Sequence, residues 1–279
     1  MIMSFDPTFA RTVMLPFVRA AYAVTADPTH APPLPNGFTQ TALLKADMSL
    51  VTELLASLGT TAAPLRAMTA GGTVAVYGLM GQNKATQTAF VAFRGTLSLE
   101  EWLADFDAAA QPYLPLPNFG DVHVGFQAVY LTIRDSLRTG LPQACAGCTR
   151  LLVAGHSLGG ALAVLAAPDV LNMPPKLEPQ LITFGGPRTG LSNFAAMFNV
   201  KIESCFRVVN FLDIVPAVPL PSPLLPYAHV GTLIPVDSGG PIDPATRHSL
   251  EAYEQGLEND AAQSLMPAVT ASLAPPSLL

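Results

Sequence analysis

The segment Gly155-His156-Ser157-Leu158-Gly159-Gly160 sets a serine hydroxyl between glycines two residues to either side. A serine hydroxyl is a poor nucleophile at its own pKa and needs a histidine base, itself oriented by a carboxylate. The spacing itself supplies geometry. A strand that turns sharply into a helix holds the serine in a strained backbone conformation, and the flanking glycines let the chain pass close to its neighbours. The helix then aims its first N–H groups at the place where an oxyanion would form. The chemistry this suits is acyl transfer through a covalent intermediate on Ser157, with the N–H of Leu158 as one oxyanion donor.

Such a turn needs a strand before it and a helix after it. Arg150 to Ala154 is a compact apolar run, and Leu158 to Ala167 is a small-residue stretch with helical character. Upstream, Thr73 to Leu79 and Thr88 to Arg94 are short β-rich runs joined by a turn around Gly81-Gln82-Asn83-Lys84, which reads as a hairpin. Helical spacing covers Gly125 to Leu137. Downstream come apolar strands at Leu181 to Phe184, Cys205 to Phe211 and Val230 to Ile234, the last ended by Pro235, and then a helix at Leu250 to Leu257. Strand and helix in alternation predict a mostly parallel central sheet with helices on both faces and an antiparallel hairpin near its N-terminal side. That is the α/β-hydrolase fold, on which a nucleophile elbow sits. Proline patches at Ala31 to Pro35, Pro112 to Pro117 and Pro216 to Pro226 read as loops. Residues 1–265 are expected to form a single domain, and 266–279 a tail without fixed structure.

Composition narrows the partners. Half of the 279 residues are hydrophobic and 12% are charged, and mean hydropathy is +0.38, which implies exposed apolar patches or contact with lipid. No uninterrupted apolar run reaches the roughly eighteen residues of a transmembrane helix. A formal charge of −6, a pI near 5.3 and the lack of any basic run argue against nucleic acid. Cys145 and Cys148 form a C-x-x-C that precedes a strand instead of opening a helix, unlike a redox motif, and no second pair exists to complete a zinc site. They read as two loop thiols or a short local disulfide, and no metal or organic cofactor is expected. At the N-terminus, Val13 to Val18 is broken by Pro16 and closed by Arg19, with Asp6 and Arg11 ahead of it. A first helix fits this better than a cleaved leader, although Ala21 and Ala23 resemble a cleavage site, and the compartment stays open.

Beyond the elbow, several blocks resemble the class 3 lipases, the family of the filamentous-fungal triacylglycerol lipases. Val91-Ala92-Phe93-Arg94-Gly95-Thr96 is similar to the family's oxyanion strand and loop, and Trp102-Leu103-Ala104-Asp105 to the segment just after it. Val122-His123-Val124-Gly125-Phe126 resembles its H-x-G-F, and Thr183-Phe184-Gly185-Gly186-Pro187-Arg188 its F-G-x-P-R. Phe206-Arg207-Val208-Val209-Asn210, followed by Asp213-Ile214-Val215-Pro216, is similar to its acid loop. The blocks follow the family's order over about Gly72 to Tyr253. The resemblance implies a carboxylic ester hydrolase of the triacylglycerol lipase type, with Thr96 as the second oxyanion donor through its N–H and hydroxyl.

In this fold class the chain order is serine, acid, histidine. Asp213 closely follows the strand Cys205 to Phe211 and matches the family's catalytic aspartate by resemblance. Asp169 lies at a helix end too near the elbow, and Asp237 and Asp243 lie beyond the next strand. For the base, His30 and His123 precede the elbow, and His156 lies within it, its side chain expected to point away from that of Ser157. That leaves His229 and His248. His248 follows the last strand in a loop before a helix, where this fold places its base, whereas Tyr227-Ala228-His229-Val230-Gly231 is similar to a family Y-x-H-x-G whose histidine is not the base. The expected triad is Ser157, Asp213 and His248, with His123 and His229 structural.

Leu99, Trp102, Leu103 and Phe106 fall at i, i+3, i+4 and i+7, one apolar stripe with Glu100, Glu101 and Asp105 off it. The resemblance implies that 96–110 is a lid that covers the site and rolls back at a lipid surface; the alternative is a surface helix packed permanently on the core. Two departures from the family bear on substrate. Its V-G-N is replaced by Thr189-Gly190-Leu191-Ser192-Asn193, and Pro216 to Pro226 is rich in proline and leucine, a candidate acyl-pocket wall. The expected partner is a lipid or ester substrate at a lipid–water interface. Phospholipase A1 action, or an esterase for short acyl or aryl esters, is the alternative on the same site. A catalytically dead hydrolase fold serving as a lipid-binding or interaction module is the rival from another class. The sequence leaves oligomeric state open.

Overall fold

A computed structural model describes residues 4–47, 74–96 and 108–272. Among them are eleven strands: β1 (Thr39–Asp47), β2 (Val74–Asn83), β3 (Thr88–Phe93), β4 (Ala110–Pro112), β5 (Asp121–His123), β6 (Arg150–His156), β7 (Pro179–Phe184), β8 (Gly190–Leu191), β9 (Cys205–Asn210), β10 (Tyr227–Ala228) and β11 (Thr232–Val236). The larger sheet has seven strands in the order β1-β2-β3-β6-β7-β9-β11. Its first two pairings are antiparallel and the remaining four are parallel, as in the α/β-hydrolase fold. A second sheet, β10-β8-β5-β4, is antiparallel where its pairings are described.

The parallel strands read as continuous apolar runs because both their faces are covered. Successive side chains of β6 show this. Leu151 and Val153 join a core under the helices α2 (Val124–Ala144) and α3 (Leu158–Val170), while Leu152 and Ala154 join a second core under α1 (Leu15–Ala26) and α6 (Leu250–Ser272). β3 alternates in the same way, Ala89, Val91 and Phe93 to one side, Phe90 and Ala92 to the other. In chain order, α4 (Ser192–Lys201) and a short α5 (Pro244–Arg247) come between α3 and α6, and a helical lead-in, Pro7–Phe9 and Ala10–Met14, precedes α1.

Several boundaries differ from the sequence reading. The hairpin turn is at 84–87, and Gly81, Gln82 and Asn83 remain in β2. Asn83 Oδ1 accepts the N–H groups of Ala85 and Thr86, so the reversal starts after that side chain. The last strand is Thr232–Val236 and contains Pro235, which is tolerated because β11 lies at the edge of the sheet and, among the described residues, pairs with β9 alone. The helix α6 extends to Ser272 and takes in the first part of the expected tail, in keeping with its alanines, strong helix formers. β1, an edge strand of mixed polarity, and the two- and three-residue strands of the second sheet carry too little periodicity to be seen in sequence. Leu99, Trp102, Leu103 and Phe106 lie outside the described residues. No helix among the described residues is long and apolar enough to cross a membrane.

Candidate active site

The elbow joins β6 directly to α3. Ser157 has φ 58° and ψ −130°, a conformation that costs a non-glycine residue of order 1–3 kcal/mol. The surrounding structure holds it there: the Ser157 N–H donates to the Phe184 carbonyl at 3.0 Å, and its own carbonyl accepts from Gly160 at 2.9 Å. Gly155 has to be glycine, since a Cβ there would sit 2.0 Å from the Gly159 carbonyl oxygen. Ser157 stands at the N-cap of α3 yet makes no capping hydrogen bond. Its Oγ is buried without a partner among the described residues, and so is His248 Nε2. Leaving a buried polar atom unpaired costs about 1–3 kcal/mol, which marks both atoms as awaiting a partner.

Asp213 follows β9 by three residues and accepts at both carboxylate oxygens. Oδ2 takes His248 Nδ1–H at 2.8 Å and the Tyr253 hydroxyl at 2.6 Å, and Oδ1 takes the Val215 N–H at 2.9 Å. An imidazole that donates from Nδ1 carries its lone pair on Nε2 when neutral, the form a general base requires. Burial, then the charge of Asp213, raises the Tyr253 hydroxyl well above its ordinary 10, so it remains a donor to the carboxylate.

The loop carrying His248 is stapled to β9. The buried Arg247 guanidinium reaches Asp237 at 2.6 Å and the carbonyls of Pro241 and Gly240 at 2.7 and 3.2 Å. Its backbone carbonyl accepts from Asn210 Nδ2 at 2.8 Å, and Asn210 Oδ1 accepts from the Ser238 N–H at 2.9 Å. Arg247, Asn210 and Tyr253 were not foreseen as site residues. The adjacency of Arg247 to His248 was the one local signal; Tyr253 had none.

On the other side of Ser157, a Cβ on Gly95 would lie 2.7 Å from Ser157 Cβ, so the backbone leading into Thr96 abuts the elbow. Leu158 is the first residue of α3, and its N–H has no acceptor within that helix. The remaining candidates go elsewhere. His123 Nδ1 accepts from the Phe126 N–H and caps α2. His229 Nε2 bonds the Pro216 carbonyl at 2.9 Å, and burial beside Arg207 lowers its pKa to about 3. Asp169 pairs with Arg134, and Asp243 caps α5 through the Thr246 N–H. Cys145, Cys148 and Cys205 are all free, so the C-x-x-C is not bridged, and burial pushes Cys145 and Cys205 up to about 12, away from reactive thiolates.

Residues 90–222 match the family model of the class 3 lipases. That span takes in Thr96, Ser157 and Asp213 and ends before His248. A lipase from Rhizopus niveus is 36% identical over 138 residues, 48% of this chain and 35% of the relative. Phospholipase A1-II 1 of Oryza sativa subsp. indica is 30% identical over 196 residues, 60% of this chain and 49% of the relative. Among solved structures, Rhizomucor miehei triacylglyceride lipase superposes with a TM-score of 0.52 at 27% identity, covering 60% of this chain and 62% of that one. The chain thus spans half or less of the length of these curated relatives.

Proposed function

We propose, from the match of residues 90–222 to the class 3 lipase family model and from the geometry of the site, that the chain is a carboxylic ester hydrolase of lipase type. The observation that carries the proposal is the buried Asp213–His248 bond of 2.8 Å, beside which Ser157 Oγ and His248 Nε2 are both buried with no hydrogen-bond partner among the described residues. His248 Nε2 takes the Ser157 hydroxyl proton as Oγ attacks the ester carbonyl carbon. The N–H of Leu158 and Thr96, through its N–H and hydroxyl, stabilise the oxyanion, each donor worth about 3 kcal/mol in the transition state. Asp213 stabilises the imidazolium, which returns its proton to the departing alcohol. Water, deprotonated by the same Nε2, then releases the acid and restores Ser157.

The segment 96–110 is proposed as a lid whose stripe Leu99, Trp102, Leu103 and Phe106 meets lipid. Trp102 is the single tryptophan of the chain, so its fluorescence reports on that segment alone. The test is hydrolysis of p-nitrophenyl esters from short to long acyl chains, with and without lipid vesicles, for wild type and Ser157→Ala. A loss of at least about 10⁴-fold in Ser157→Ala supports the mechanism, and full turnover in that variant refutes it. Long-chain activity that rises at the interface together with a Trp102 emission shift supports a lidded lipase. Activity confined to short soluble esters makes it an esterase. A second reading, phospholipase A1 action, is suggested by the similarity to the rice phospholipase A1; fatty-acid release from phosphatidylcholine separates it.

A further inference from the structure

Tyr22, on α1, is 134 residues from the elbow, yet its hydroxyl lies 2.9 Å from His156 Nδ1 and 3.0 Å from the Gly95 nitrogen, whose N–H donates to it. The other ring nitrogen of His156, Nε2, is 2.8 Å from the His248 carbonyl oxygen. A carbonyl can only accept, so Nε2 carries the proton and Nδ1 of the neutral ring must accept from Tyr22. The hydrogen bonds therefore have one consistent direction: Gly95 N–H to Tyr22 oxygen, Tyr22 O–H to His156 Nδ1, His156 Nε2–H to the His248 carbonyl. Burial, reinforced by nearby His248, keeps His156 well below the ordinary histidine range and therefore neutral. That matters because the two imidazoles are only 4.5 Å apart, and His248 becomes cationic in the proposed reaction.

Gly95 is held on its other side as well. The buried Arg94 guanidinium, packed 4.5 Å over the Tyr77 ring, donates to the Gly95 carbonyl at 2.7 Å and to the Val76 carbonyl at 3.1 Å. In a planar trans peptide the N–H points opposite to the C=O. Fixing the Gly95 carbonyl therefore fixes the direction of the Thr96 N–H. With Gly95 clamped at both its N–H and its C=O, the peptide plane beside Ser157 cannot rotate without breaking one of these bonds.

We propose that Tyr22 is a positioning residue that locks the Gly95–Thr96 peptide, the serine elbow and the His248 backbone into one frame, with Arg94 as its counterpart across Gly95. The inference rests on the ester hydrolase reading. Its role is to hold the oxyanion donor in place before substrate arrives, so its loss should weaken binding of the tetrahedral state and leave ester binding alone.

The experiment compares wild type, Tyr22→Phe and Arg94→Lys for kcat and KM on a p-nitrophenyl ester, inhibition by an alkylboronic acid, which forms a tetrahedral adduct with a serine oxygen, and melting temperature. Tyr22→Phe is expected to lower kcat by about tenfold and to raise the boronic acid Ki by a similar factor, with KM within about twofold. Arg94→Lys, which keeps a donor but not the fork, should fall in the same two quantities. Nitrogen NMR of wild type should show His156 as the Nε2–H tautomer from pH 5 to 9. Unchanged kcat and Ki in Tyr22→Phe would overturn the inference, as would a rise in KM accompanied by a lowered melting temperature with Ki unaffected, or an Nδ1–H tautomer. Failure of the underlying reading looks different: wild type would neither hydrolyse the ester through Ser157 nor bind the boronic acid.

Discussion

Asp213 and Asp169 are two buried carboxylates that begin alike and end differently. Each accepts a buried tyrosine hydroxyl, from Tyr253 at 2.6 Å and from Tyr130 at 2.7 Å. Asp169 is then closed by Arg134, which donates from Nε at 2.6 Å and from Nη2 at 3.0 Å. Asp213 is closed by His248. An arginine fork has no lone pair and keeps its proton, so the Asp169 cluster does nothing more than hold α2 to α3. An imidazole bonded through one nitrogen keeps a basic second nitrogen, so the Asp213 cluster ends in an atom able to take a proton. The cation chosen to neutralise a buried aspartate decides between an inert tie and a reactive one.

The strongest challenge to this comparison is the matched pair Asp213→Asn and Asp169→Asn. Asp213→Asn should lower kcat by about 10⁴-fold, because asparagine can hold His248 in the wrong tautomer, with little change in stability. Asp169→Asn should leave ester turnover within about twofold and reduce unfolding free energy by about 2 kcal/mol, below the usual cost of breaking a buried pair because Arg134 is partly exposed and can reach water. Kinetics and urea denaturation on both variants check this, and an Asp169→Asn enzyme that had lost turnover would break the distinction.

A smaller effect comes from the two tyrosines. Tyr253→Phe should cost roughly tenfold in kcat by releasing one hold on the carboxylate, whereas Tyr130→Phe should cost about 1–2 kcal/mol of stability and no rate. The same assays measure both.

A pH-dependent effect concerns a histidine closed by a carbonyl instead of a carboxylate. Burial holds His229 near pKa 3 in the fold, against an ordinary value of about 6.5. Above pH 6.5 it is neutral folded and unfolded and adds no pH dependence. As pH falls from 6.5 toward 3, the unfolded chain binds a proton that the native state refuses, so stability drops, at most about 1.4 kcal/mol per pH unit. His229→Gln should flatten that slope between pH 6 and 4.5 in urea titrations, and an unaltered slope would contradict it.

The readable part of the protein was the part in which one short segment contains its own reason. Gly155 to Gly160 specifies strand, turn and helix within a few residues, and the parallel strands announce themselves as apolar runs because both faces are covered. The order serine, acid, histidine, with resemblance to the class 3 lipases, selected Asp213 and His248, and the fold brings these two within hydrogen-bond reach across 35 residues of chain. The hairpin turn was misplaced because Asn83 Oδ1, not a glycine, starts the reversal. β1 was missed because an edge strand is free to be half polar.

By itself, then, the sequence determined the alternating layers, the elbow and the residue types able to perform acyl transfer, since each follows from local backbone sterics and from a periodicity set by burial. Only the tertiary structure decided what surrounds them: that Tyr253 donates to Asp213, that Arg247 and Asn210 tie the histidine loop to its neighbouring strand, and that Tyr22 reaches Gly95 and His156 from another helix. Hydrogen bonds between side chains far apart in sequence leave no periodic trace in it. They are satisfied by whichever polar group the packed layers bring within about 3 Å.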